Sequence, residues 1–118
     1  MKFITLILLT FILAIPSLVA SPDEEIAGLL KYVEGLQGAT FVRNGGSHTA
    51  KEAADHMRMK WERQKKKIST AEKFIDLCGS KSYLSGKRYV IKLKGEPEKF
   101  SDDVLKAELK RIRAAAKK

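Results

Sequence analysis

The chain has 118 residues, with 23 Lys and Arg against 14 Asp and Glu, and its formal charge is +9. Its length excludes two independent domains, and its single cysteine excludes a disulfide within the chain. The positive charge favours anionic partners through long-range attraction, and the competing interpretation is that it only keeps the protein soluble.

The N-terminal segment has the layout of a secretory signal peptide. Lys2 precedes an apolar run over residues 3–15, and Pro16 leads to the small residue Ala20. The run is shorter than the roughly 20 apolar residues that a membrane-spanning helix needs. We expect cleavage after Ala20, which makes residues 21–118 an exported, periplasmic protein of charge +8 with no transmembrane segment. Export excludes nucleic acid as a partner and leaves an anionic envelope component or a periplasmic protein.

The first predicted helix spans residues 22–36, and a hairpin follows it. Ser21 is placed to cap the helix, and Gly38 is a natural stop. Residues 40–43 favour a strand, and Asn44-Gly45-Gly46 is a strong turn signal before a second short strand. The helix presents one apolar face, formed by Ile26, Leu29, Leu30, Val33 and Leu36.

Two capping boxes predict the next two helices. Thr49 with Glu52 begins a helix over residues 50–67, whose largest core side chain is expected to be Trp61. Ser69 with Glu72 begins a short helix that Gly79 ends. The lone cysteine, Cys78, falls on the apolar stripe of this helix, so we expect it to be buried as a small hydrophobic residue.

A polar loop, one more strand and a final helix complete the chain. The loop spans residues 80–87, and residues 89–93 alternate well enough to add a strand to the hairpin. Ser101 is expected to cap the last helix, whose end from Ala114 onward is expected to fray. The sequence therefore predicts a single α+β domain, with four helices packed on a sheet of two or three strands.

No residue set makes a strong case for catalysis or for a cofactor. His56 with a loop serine is the best candidate for a hydrolase, although such residues occur by chance in a domain of this composition. His48 and His56 lack a companion at ligand spacing, so we predict no metal site. The segment 79–87 departs from the phosphate-loop pattern in its spacing and context, so no nucleotide cofactor is expected.

The loop and the hairpin together offer a candidate site for an anion or a glycan. Serine hydroxyls, a flexible glycine and cationic side chains are groups that recognise such ligands. The competing interpretation assigns the same residues to turns and helix caps. The candidate binding residues are Arg43, Asn44, His56, Lys60, Ser82, Ser85, Gly86, Lys87 and Tyr89.

Short motifs in a consistent order run along nearly the whole of the chain after residue 25. They are Phe41-Val42-Arg43-Asn44-Gly45, His48-Thr49, Glu52-Ala53, His56, Lys60, Ile68, Thr70-Ala71-Glu72, Phe74-Ile75-Asp76, Ser80, Ser82, Ser85-Gly86-Lys87 and Tyr89-Val90-Ile91. Over residues 26–112 the chain resembles the DUF5329 family of small uncharacterised proteins of Gram-negative bacteria. The resemblance implies a signal peptide and a periplasmic location, and it implies no activity. Relatives often carry Pro where Arg88 stands and Ala-Ser where Cys78-Gly79 stand.

The leading hypothesis is a non-enzymatic periplasmic domain that binds an anionic envelope component or a protein partner. A small hydrolase that uses His56 is the first alternative. A structural envelope protein or assembly factor is the second. The first alternative requires a serine hydroxyl beside the His56 ring.

Overall fold

The computed structural model describes residues 20–117. The predicted signal peptide lies outside this range except for Ala20. The helices are α1 (Pro22–Glu34), α2 (Ala50–Arg63), α3 (Ala71–Cys78) and α4 (Ser101–Ala116), and the strands are β1 (Thr40–Arg43), β2 (Gly46–His48), β3 (Val90–Lys92) and β4 (Lys99–Phe100). The predicted α+β class with four helices is confirmed.

The four strands form one antiparallel sheet in the order β2-β1-β3-β4. The predicted hairpin is present, and its turn places Asn44 and Gly45 at φ of 51° and 80°. A tight two-residue turn needs this left-handed conformation, which asparagine and glycine tolerate best. The sheet has one strand more than the sequence predicts. Strand β4 was not predicted because its two residues are exposed and show no alternating pattern.

The core lies between the four helices and one face of the sheet. Phe41 and Ile91 are paired across β1 and β3 and are both buried against the helices. Every buried apolar residue of residues 20–117 falls between Ile26 and Leu109. The chain from Ser21 onward therefore contains the whole described core, and we expect it to fold alone. Cys78 is fully buried and forms no disulfide.

The first two helices end earlier than predicted. Helix α1 stops at Glu34, and the N–H of Gly35 donates to carbonyls of the last turn. Helix α2 stops at Arg63, and a 3-10 turn follows over Lys65–Lys67. Ile68 follows this tighter turn and is buried in the core.

Two predicted caps are also wrong. The hydroxyl of Thr70, rather than of Ser69, caps α3 by accepting from the N–H of Lys73 at 3.1 Å. Ser101 lies inside α4 and is fully buried, and its backbone N–H donates to the carbonyl of Tyr89. The cap position of α4 is Phe100, which offers no side-chain hydrogen bond.

The C-terminal helix continues to Ala116 instead of fraying at Ala114. Its last turns are held by Arg113, whose guanidinium binds Glu25 of α1 at 2.8 and 3.0 Å and Glu72 of α3 at 2.6 and 3.1 Å. Within residues 20–117, no helix combines the length and the apolar character needed to cross a bilayer.

The sequence predicted Trp61 as the largest core side chain of α2, and the structure shows that this prediction is wrong. Its indole is half-buried and meets the fully buried Phe74 ring edge-on, with 6.1 Å between the ring centroids. Lys65 lies over the outer face of the indole at 4.7 Å from its centroid. Among the apolar side chains of α2, Met57 rather than Trp61 is the largest that is buried, and Trp61 packs partly buried against the core.

Candidate functional site

Lys60 is the one lysine among residues 20–117 that the fold buries, with 8 % of its surface exposed. It lies on α2 one turn after His56 and Met57, at the edge of the apolar face. Its Nζ atom donates to the hydroxyl of Tyr89 at 3.1 Å and to the carbonyl of Lys81 at 3.3 Å. The same ammonium lies 5.0 Å from the ring centroid of Tyr83 and 5.2 Å from that of Tyr89.

Lys60 is one of the residues that line an open cleft of about 440 Å³ between the hairpin, α2 and the loop after α3. We call it the cationic cleft. Six of the nine candidate residues predicted from the sequence line it: Arg43, Asn44, His56, Lys60, Ser82 and Tyr89. The structure thus brings together side chains from the β1–β2 turn, one helix and the loop preceding β3.

The cationic cleft has no acidic lining residue. Arg43, Lys60 and Arg63 all line it, and none has a carboxylate oxygen within 4 Å among residues 20–117. Arg43 interacts with Glu52 only at longer range. Three cations therefore share one concave surface without an internal counter-charge.

His56 is held neutral at the side of the cleft. Burial, together with the nearby positive charges of Arg43 and Lys60, lowers the pKa of its imidazole from 6.5 to about 4. The ring meets Tyr89 edge-on, with 6.2 Å between the centroids. Within residues 20–117 the imidazole forms no hydrogen bond with a serine hydroxyl, so the pair that the hydrolase alternative needs is not assembled in this structure.

The loop over residues 80–87 is ordered by hydrogen bonds of its own. The N–H of Ser82 donates to the carbonyl of Lys87 at 3.0 Å, and the N–H of Gly86 donates to the carbonyl of Ser82 at 2.8 Å. Gly86 adopts a φ of 73°, which explains why a glycine stands there. The loop is therefore a compact turn with a defined shape.

Two side-chain contacts join this loop to the other walls of the cleft. The Ser85 hydroxyl donates to the amide oxygen of Asn44 at 2.6 Å, and the Tyr83 hydroxyl donates to Gln64 at 2.7 Å. Ser85, Gly86 and Lys87 do not line the cleft, although they were candidate binding residues. Ser85 bonds the loop to Asn44, and Gly86 adopts the backbone conformation that the turn needs. Lys87 is exposed beside them.

Five further lining residues were not among the nine named candidates, although two of them belong to the predicted loop: Met59, Arg63, Gln64, Tyr83 and Leu84. A signal for Arg63 was present, because it follows His56 by seven residues and Lys60 by three, which places all three on one helix face. The side chains of Tyr83 and Leu84 carried no such signal, since their direction depends on the turn of the loop.

A larger groove of about 740 Å³ lies between α1, α4 and the β3–β4 edge of the sheet. Its charged lining is largely paired: Arg111 binds the buried Glu108 at 2.6 and 2.8 Å, and Lys99 binds Glu96 at 3.0 Å. None of the predicted binding residues lies in this groove. We therefore assign the candidate site to the smaller, cationic cleft.

Metal binding finds no support in the described part of the chain. No group of three or more His, Cys, Asp and Glu side chains is arranged there to hold an ion. The Nδ1 atom of His48 lies 3.9 Å from a carboxylate oxygen of Glu52, one turn further along the chain. The hydroxyls, amides and cations of the cleft are instead suited to an anion.

Comparison with known proteins gives the chain a family. The model of a family of unknown function, DUF5329, matches residues 20–113. An uncharacterized protein of Salmonella typhimurium, YfeK, is 35 % identical over 92 residues, which cover 75 % of this chain and 77 % of that protein. No solved structure matches the chain significantly. The chain belongs to the DUF5329 family.

Proposed function

We propose that this protein is a non-enzymatic periplasmic domain that binds an anionic group in the cationic cleft. The observation that carries the proposal is the environment of Lys60, a buried ammonium with two neutral oxygen partners and no carboxylate within 4 Å among residues 20–117. Lysine is almost never buried without a counter-charge, because removing the ammonium from water is unfavourable. An anionic ligand would supply the missing charge.

The neighbouring side chains fit this role. Arg43 and Arg63 can each present a planar fork of N–H donors, which matches the paired oxygens of a phosphate or a carboxylate. Asn44, Gln64 and Ser82 offer neutral hydrogen-bonding groups in the same cleft. The charge of +8 on residues 21–118 would attract anions from a distance, and the cleft would hold them.

The periplasmic location rests on the sequence of the first twenty residues. A short apolar run after a lysine, followed by a proline and a small residue, is typical of cleavable export signals. Helix α1 begins at Pro22, and Ser21 caps it, so the folded domain begins directly after the predicted cleavage site. This arrangement suits a domain that folds after the leader has been removed.

Anion binding is tested by titrating isotope-labelled chain 21–118 with methyl phosphate and, separately, with acetate, followed by NMR. We expect shifts at the cleft residues with a Kd of about 1 mM or tighter, and a rise in the pKa of His56 as the anion offsets the nearby cations. Lys60→Met should abolish both effects. Lys110→Ala, which removes an exposed cation from α4, should leave both unchanged.

The same titration distinguishes a specific site from general attraction by the charged surface. Shifts spread evenly over exposed lysines, with an unchanged His56 pKa, would contradict the proposal. Equal responses of the Lys60→Met and Lys110→Ala variants would contradict it as well, because both variants lose one positive charge.

A further inference from the structure

Exposed apolar side chains gather at the rim of the cationic cleft. Among residues 20–117, four large apolar side chains are exposed, and three of them line this cleft: Leu84 at 99 %, Tyr83 at 59 % and Met59 at 39 %. Isolated exposed apolar residues are ordinary on protein surfaces, whereas a cluster of them marks an interaction site. The fourth, Phe100, packs its ring against Arg88 outside the cleft and serves as a natural control.

The exposure of Leu84 belongs to a fixed loop. Leu84 sits at the tip of the turn that the hydrogen bond from Gly86 to Ser82 closes, and isolated bridge pairing of Lys81 with Arg88 closes its base. The hydroxyl of the neighbouring Tyr83 donates to Gln64, the residue that follows α2. The leucine is thus presented to solvent by a turn that is braced on both sides.

The loop that carries this tip is positively charged. The stretch 80–88 contains Lys81, Lys87 and Arg88 and no acidic residue, and Arg63 lines the adjacent side of the cleft. Of these cations, Arg88 is paired, with Asp102 at 2.8 Å, while the described residues place no carboxylate within 4 Å of the other three. An exposed apolar tip on a loop that also carries unpaired cations suits docking on an anionic bilayer, where the cations meet headgroups and the apolar side chain enters the acyl boundary.

We propose that this face docks on a membrane that contains anionic phospholipids, with a lipid phosphate in the cationic cleft and Leu84 inserted among the acyl chains. This proposal rests on the proposed function, because it names the source of the anion. A protein partner would need a matching hollow for the projecting leucine. A fluid acyl boundary accommodates that side chain without such a hollow. The negative charge of the lipid headgroups complements the free cations.

The test uses chain 21–118 and two kinds of vesicle: phosphatidylcholine alone, and phosphatidylcholine mixed with phosphatidylglycerol. We expect binding to the mixed vesicles alone, and a marked loss of binding as salt rises from about 0.05 to about 0.5 M. Leu84→Ala should lower the partition coefficient about fiftyfold, because three buried carbon atoms are lost. Phe100→Ala should lower it little, provided that its melting curve shows a folded chain.

Insertion is measured directly with tryptophan as a probe. On a Trp61→Phe background, which removes the one native tryptophan, the Leu84→Trp variant should shift its emission to shorter wavelength on mixed vesicles and should be quenched by lipids brominated in the acyl chain. The matched Phe100→Trp variant should show neither effect. Equal quenching of the two variants, or no quenching of Leu84→Trp, would overturn the proposal.

The two proposals fail in different ways. If methyl phosphate binds the cleft but neither kind of vesicle binds the chain, the membrane proposal is wrong and the anion-binding cleft stands. If mixed vesicles bind through Leu84 and Lys60→Met binds them equally well, the assignment of the lipid phosphate to the cleft is wrong. Binding that Leu84→Ala and Lys60→Met both weaken supports the two proposals together.

Discussion

The ammonium of Lys60 lies 3.1 Å from the hydroxyl of Tyr89, and this contact joins α2 to the residue that immediately precedes β3. Neither partner brings a negative charge to the contact. A buried cation with neutral partners loses more hydration than its hydrogen bonds restore, so it is unfavourable for the stability of the fold. Such a residue is better explained by what it can bind than by what it holds together.

Lys60→Met should therefore separate stability from binding. Methionine matches the lysine side chain in length and needs no hydration, so we expect the free energy of unfolding to stay the same or to rise by up to about 2 kcal/mol. Denaturant unfolding measures this change. A loss of several kcal/mol would show that the ammonium is a structural element of the fold.

The stability of the fold should depend on the protonation of His56. Because the pKa of His56 is lowered to about 4 in the folded chain, the unfolded chain takes up more protons between pH 6.5 and pH 4. The contribution of His56 to the free energy of unfolding is complete above pH 6.5 and is lost as the pH falls through this window. We expect a loss of about 1 kcal/mol, less than the full shift implies because the ring is partly open to solvent.

This dependence can be isolated from the titration of carboxylates. Unfolding curves of the unmodified chain and of His56→Gln are measured at the same pH values, and their difference gives the share of His56. A difference that does not change between pH 7 and pH 4.5, close to the ends of that window, would contradict the assignment.

Arg113→Ala should destabilise the C-terminal helix. The guanidinium bridges Glu25, which is buried, and Glu72, so its removal leaves a buried carboxylate without a partner. We expect the free energy of unfolding to fall by about 1–3 kcal/mol. Lys110→Ala, an exposed change on the same helix, should alter it little. Hydrogen exchange of the last turns of α4 would locate the effect.

Cys78 should be unreactive in the folded protein. Burial raises the pKa of its thiol to about 11, so the thiolate is scarce near pH 8 and is also shielded from reagents. A thiol-specific colorimetric reagent should label the native chain slowly and the denatured chain at once. Rapid labelling of the native chain would mean that α3 opens readily.

Processing of the N-terminus should yield a chain that starts at Ser21. Expression of the full sequence in a Gram-negative host, followed by mass spectrometry of the periplasmic fraction, measures the cleavage site directly. We expect a species of 98 residues. Recovery of the intact 118-residue chain from the cytosol as the stable species would remove the basis for the periplasmic proposal.

Local signals in the sequence were sufficient to predict the helices. The predicted cap at Ser21 and the predicted capping box of Thr49 with Glu52 are both present in the structure, because each needs only residues three apart, whereas Thr70 takes the place predicted for Ser69. The positive φ of Asn44 likewise follows from a turn that involves its immediate neighbours. Distant contacts account for one of the errors, at Ala114, which remains helical beside the ion pairs of Arg113.

The candidate site shows the same division. His56 and Lys60 share a helix face, so their proximity could be predicted from their spacing. The burial of Lys60 could not, since it depends on Tyr89 and Lys81, which lie 29 and 21 residues further along the chain. The exposure of Leu84 could not be predicted either. An apolar residue in a loop can be buried under the loop or exposed at its tip, and the sequence does not distinguish the two.

The bond between Ser85 and Asn44 spans 41 residues, and it lies where two walls of the cleft meet. The loop wall leads directly into β3, which pairs with β1, so the cleft has all of its walls only when the sheet is complete. A ligand that requires the cleft would then bind the finished fold alone and stabilise it by mass action, which makes ligand-induced protection from unfolding a sign of complete assembly.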